Sequence, residues 1–80
     1  MHNTTIGEQI ERARRRAVLA QTELATAAGI AYTTLWRIET GREQPRPATL
    51  RKIAAALSLK PSELLPPVDA AGALWKSNVT

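Results

Sequence analysis

The sequence predicts an all-α fold of five short helices packed round one core. Three observations carry that expectation. Apolar residues recur at helical spacing in successive stretches, glycine and proline punctuate those stretches, and no run of alternating apolar and polar residues is long enough to count as a strand. The chain is short enough, at 80 residues, to form one small domain, and a domain of that size buries only about 60% of its unfolded surface. Its 44% hydrophobic and 22% charged content is that of a globular chain rather than a disordered one.

The first helix opens at Thr5-Ile6-Gly7-Glu8, which fits a capping box with threonine at the cap and glutamate three residues on. Ile6, Ile10, Ala13 and Ala17 then follow at +4, +3 and +4 and form its core stripe. Glu11, Arg12, Arg15 and Arg16 face outward, with Arg14 at the edge of the stripe. These arginines read either as a phosphate clamp or as a solvated face, with cations near a helix C-terminus where the dipole favours them. Val18-Leu19-Ala20 connects to a second helix starting at Gln21, in which Leu24, Ala25 and Ala28 share one face. Gly29 supplies the left-handed position that stops it.

The third helix, ended by Gly41, separates its residues sharply. At about 100° per residue, Thr34, Leu35, Ile38 and Glu39 fall in one arc, while Tyr32, Thr33, Trp36, Arg37 and Thr40 fall in the opposite one. The first arc suits a core, apart from one carboxylate that needs a partner if buried. The second carries two aromatics, two hydroxyls and a guanidinium. That is a poor solubilising surface and a good set of groups for reading the edges of DNA bases. A loop from Thr40 to Arg46 leads to Pro47, suited to a first helical turn, and to the stripe Leu50, Ile53, Ala54 and Leu57 of a fourth helix. Ser58 breaks that pattern. Pro61 to Leu65 reads as a fifth short helix, halted by Pro66-Pro67.

Gln21, Glu23-Leu24-Ala25, Gly29-Ile30, Leu35, Arg37-Ile38-Glu39 and Gly41 resemble the helix-turn-helix of the Cro and phage-repressor family, also called the xenobiotic-response-element family. The likeness runs without a gap from Ile6-Gly7 to Glu63-Leu64-Leu65, and implies a lambda-repressor-like DNA-binding domain over residues 1–67 whose second and third helices form the motif. Residues 68–80 are then a tail that the family does not define. Its Leu74 and Trp75 leave open disorder, packing on the chain's own core, or packing on a dimer mate.

The resemblance also implies roles. The second helix of such a motif lies in the major groove. Tyr32, Thr33 and Arg37 match the family's base-reading positions, with Arg37 able to fork onto guanine O6 and N7. Gln21 matches a position that bonds phosphate and buttresses the reading helix, and Thr40 and Arg42 would hold the backbone on the other side. Trp36 would either meet the DNA backbone or pack on the Pro45 loop. An arginine at the position of Arg14 usually pairs with a glutamate at that of Glu39, a structural bridge rather than a catalytic one. The chain departs from the family at Val18 and Ser58, where glycine is frequent, and at Ala20 and Ala31, where a capping serine is frequent. An alanine cap forgoes about 0.5–2 kcal/mol.

Function follows as an expectation: a sequence-specific transcriptional regulator, a repressor binding a palindromic operator as a two-fold dimer. A surplus of 11 basic over 7 acidic residues, net charge +4, favours such a polyanionic partner. The alternative is an antitoxin or accessory module that uses the same fold to bind a partner protein. An enzyme is a remote third, since the chain has no cysteine, one histidine near its N-terminus (His2), and no glycine-rich loop or matched acidic pair. No metal or cofactor is expected. The chain lacks an apolar run long enough for a bilayer and a signal-peptide pattern, so a cytoplasmic protein is expected.

Overall fold

Thr5 and Glu8 start the chain's first element by capping each other. The threonine hydroxyl accepts from the Glu8 N–H at 3.1 Å, and the Glu8 carboxylate accepts from the Thr5 N–H at 2.9 Å. A computed structural model of the chain describes residues 5–66, and in them this cap opens α1 (Ile6–Arg16), followed by α2 (Gln21–Ala28), α3 (Tyr32–Glu39) and α4 (Pro47–Ala56). The described residues contain no strand, and no helix among them is long and apolar enough to cross a membrane. His2, Pro67 and the tail with Leu74 and Trp75 lie outside the described residues.

The fifth element corrects the sequence reading. Pro61–Leu64 is a 3-10 turn, not a fifth α-helix. Four residues between Lys60 and Leu65, with proline at the first position and Pro66 just beyond, leave no room for a run of i→i−4 bonds. It still docks, through fully buried Leu64, against α1 and α4.

The largest fully buried side chains among the described residues are Ile10, Leu24, Leu35, Ile38, Ile53 and Leu64. Each contributes about 1.5–3 kcal/mol relative to exposure. α3 supplies two of them, so the helix with the polar outer arc is also the one most firmly rooted. Ala13, Ala25, Ala28 and Ala54 fill the space between, and Ile6, Leu50 and Leu57 pack at the margin. Ala17, expected in the stripe of α1, is exposed. It is the C-cap, past the last helical residue, so the periodicity no longer governs where it points.

α1 crosses the C-terminal end of α3 at backbone range, and Gly7 permits it. A Cβ on Gly7 would overlap the Ile38 carbonyl oxygen and crowd that of Glu39. Only hydrogen fits between the two helices there.

All four α-helices end in one hydrogen-bond pattern. After α1, Val18 N–H donates to the Arg15 carbonyl and Leu19 N–H to that of Arg14. After α2, Gly29 donates to Thr26 and Ile30 to Ala25; after α3, Gly41 to Ile38 and Arg42 to Arg37; after α4, Ser58 to Ala55 and Leu59 to Ala54. This is the Schellman motif, which requires a left-handed residue at its corner. Gly29 and Gly41 adopt φ of 71° and 81°, and Val18 and Ser58 are held at 57° and 59°. The residue after the corner is apolar and packed on the core in three cases, Leu19, Ile30 and Leu59. In the fourth it is Arg42.

Candidate nucleic-acid interface

The inner face of α3 holds a buried carboxylate, and its surroundings answer each of its oxygens. Glu39 Oε2 accepts from Arg14 Nε at 2.8 Å, and Oε1 accepts from Arg14 Nη2 at 3.1 Å and from Gln21 Nε2 at 2.9 Å. Arg14 Nη1 donates in turn to the Leu19 carbonyl at 2.8 Å. The Glu39 side chain is 2% exposed, and no buried side-chain polar atom among the described residues lacks a partner. The hydrogen bond to Glu39, aided by that carboxylate's charge, holds the Arg14 guanidinium above its ordinary value against the opposing effect of burial, so it stays charged. One three-residue network therefore ties α1, the α1–α2 connection, the start of α2 and the end of α3 together.

The outer face is built differently. Tyr32, Thr33, Trp36, Arg37 and Thr40 are all exposed, Tyr32 at 45% and Trp36 at 38%. By helical angle they form two flanks: Tyr32 and Trp36 one turn apart on one side, Thr33 and Arg37 one turn apart on the other, with Thr40 between. The ion pairs among the described residues are Arg14–Glu39 and an exposed i,i+4 pair, Glu11–Arg15. Arg37 and Arg42 are thus without an acidic partner among the described residues.

Beyond α3 the chain wraps back onto it. The Arg37 carbonyl accepts from both Arg42 and Glu43 N–H groups, at 2.8 and 3.2 Å. The turn lays the Arg42 guanidinium over the Trp36 ring, 5.0 Å from its centroid. Trp36, which the sequence left between DNA and the Pro45 loop, has Arg42 of that loop as its cover. The Thr40 hydroxyl donates to the Trp36 carbonyl at 2.8 Å, so its proton is engaged with the end of α3.

The helix starts differ in their caps. Alanine at position 20 has no oxygen to offer, but Glu23 reaches back to the Ala20 N–H at 2.7 Å, as Glu63 does to Lys60 at 2.8 Å. Sequence reasoning missed both, although a glutamate three residues into the element was the visible signal. α3 has Ala31 before it and Thr34 at the third position, and no side chain caps it. Its first-turn N–H groups are therefore left to solvent or to an anion. Among the described residues no group of three His, Cys, Asp or Glu side chains could hold a metal ion.

Comparison with known proteins agrees with this geometry. The HTH-type transcriptional repressor RghR of Bacillus subtilis is 39% identical over 56 residues, 69% of this chain and 42% of its own. The chain spans less than half the length of the Bacillus subtilis relatives it matches. Among solved structures, SinR, described as the master regulator for biofilm formation and crystallised in complex with DNA, superposes with a TM-score of 0.72 at 31% identity, over 75% of this chain and 97% of that one. The DNA-binding domain of the P22 c2 repressor, at 24% identity, shares the fold, with a TM-score of 0.77 over 85% of this chain and 90% of that one. The helix-turn-helix domain family matches from Thr5 through Pro66, the span over which α1 to α4 and the 3-10 turn are described. With the α2–α3 pair, its Gly29 corner and its braced third helix inside that span, the chain belongs to the helix-turn-helix domain family.

Proposed function

We propose that the chain is a sequence-specific DNA-binding transcriptional regulator, a repressor that lays α3 in the major groove of a palindromic operator and binds it as a two-fold dimer. The observation that carries this reading is the asymmetry of α3. One face is immobilised by Arg14, Glu39 and Gln21, while the other exposes two aromatics and an arginine with no acidic partner among the described residues. Exposed aromatics cost solubility, and a rigid polar–aromatic face is what base readout needs.

Roles follow from position. Tyr32, Thr33 and Arg37 read base edges. The N-terminus of α2 with Gln21, and Thr40 and Arg42 at the far end of α3, with Trp36 beneath Arg42, hold the sugar–phosphate backbone. Gln21 also keeps α3 in register through Glu39. A phosphate contact by the Thr40 hydroxyl requires it to turn away from the Trp36 carbonyl. The names of the relatives, a transcriptional regulator and a repressor, and the DNA complex of SinR support the assignment.

Selection of binding sites from random duplex DNA with the purified chain tests the reading. A palindromic motif is the expected result. No enrichment over the starting pool overturns it and turns attention to a partner protein.

A further inference from the structure

We infer that Trp36 is a positioning residue for Arg42: its ring orders that guanidinium as a phosphate clamp at the C-terminal end of α3. The inference rests on the DNA-binding reading above. In the other three helix ends the residue after the left-handed corner is apolar and packs on the core. After α3 that place is taken by Arg42, and its contact is the ring of Trp36, one turn before the helix end. The frequent apolar contact of a Schellman motif is thereby replaced by a cation on a π face.

The replacement has a chemical consequence. A guanidinium held over a ring by cation–π attraction spends none of its N–H donors on that contact. Among the described residues Arg42 has no carboxylate partner to occupy them. Its backbone is fixed by the 2.8 Å bond from its N–H to the Arg37 carbonyl, and the second bond from Glu43 to the same oxygen holds the next residue. Backbone and side chain are both ordered before any ligand arrives, so forming a bidentate phosphate bond loses little side-chain freedom. Arg15, by contrast, has an edge nitrogen engaged by Glu11.

The test is a double-mutant cycle on DNA affinity across a salt series, with Trp36→Leu, Arg42→Ala and the double variant. The probe is a duplex carrying the site selected by the parent chain, alongside an unrelated duplex of equal length. Arg42→Ala should lower affinity for both duplexes and reduce the log–log salt slope by about 0.9, one phosphate contact. Trp36→Leu, which removes no charge, should lower the slope in the same direction and affinity by about two- to fivefold, the scale of an exposed cation–π contact. The double variant should be no worse than Arg42→Ala, and Trp36→Phe should restore most of the loss. Trp36→Met repeats the measurement if Trp36→Leu does not fold. An unchanged slope for Trp36→Leu, or losses that add, overturns the positioning role. If the parent chain binds neither duplex, the DNA-binding reading itself fails, a result separate from either.

Discussion

Glu39 is an anion inside a core whose fully buried members are isoleucine and leucine, and it is tolerated because both its oxygens are occupied. Remove the carboxylate and Arg14 remains, buried and charged, with only the Leu19 carbonyl. Glu39→Ala should therefore destabilise the fold by about 3–5 kcal/mol, and a thermal melt indistinguishable from the parent's would overturn that account. Glu39 was legible from its place on the inner arc of α3, and Arg14 as its partner through the family likeness. Gln21 was legible as a buttress of α3 through the same likeness, but its partner there was not, because nothing in local spacing brings residue 21 to residue 39. Arg37 is the contrasting case, an exposed cation one turn beyond Thr33 with no acid among the described residues to hold it. As a guanine reader it should lose about 1–3 kcal/mol of binding on change to alanine, and with it the preference at one base pair per half-site. The assay is affinity for the selected site and its single-base changes. A uniform loss with the preference intact would leave Arg37 a backbone contact and pass reading to Tyr32 and Thr33.

At the level of elements, the apolar stripes of α2 and α4 and the corner at Gly29 could be read in the sequence because helical periodicity and glycine punctuation are local. The 3-10 turn, the exposure of Ala17 and the placement of Arg42 over Trp36 could not, since each depends on where a helix stops and how the chain leaves it. The four identical endings also separate two kinds of glycine. Around Gly29 and Gly41 a Cβ would meet nothing, so their requirement is conformational. Gly7 is needed for space instead: a Cβ would run into the backbone of α3. Val18 and Ser58 stand at corners where glycine would be unstrained, and Val18 is also 86% exposed and β-branched. A left-handed non-glycine residue costs about 1–2 kcal/mol, and glycine gives back roughly 0.5–1 kcal/mol of that as unfolded-state entropy. Val18→Gly should raise the melting temperature by several degrees, at about 4–8 °C per kcal/mol for a domain this small. Ser58→Gly should raise it less. Gly7→Ala should lower it despite alanine's better helix propensity. Calorimetry on the three variants checks all of them, and a rise for Gly7→Ala would refute the close approach of α1 to α3.

On the scale of the whole molecule, the proposed function gives each copy one recognition helix, α3, of eight residues, about 12 Å long at 1.5 Å per residue, which would span only a few base pairs of one groove face. Specificity against a genome then calls for a second copy. A net charge of +4 gives each copy its own attraction to phosphate but no knowledge of sequence. Two copies related by a two-fold axis would read a palindrome with half-site centres about one turn, ~34 Å, apart, so both α3 helices meet the same side of the duplex. That geometry makes spacing a sharper test than stoichiometry. Two chains should bind the selected duplex together, measured by sedimentation of the complex. Inserting about half a turn, ~5 base pairs, between the half-sites rotates one of them to the opposite side of the duplex and should remove the joint binding while each half-site keeps its single-copy affinity. Inserting about a full turn, ~10 base pairs, restores the facing and should recover cooperative binding only if the contact between copies can stretch across the added ~34 Å. Equal affinity at all three spacings would mean that the copies bind independently, and the operator would then be read by single chains.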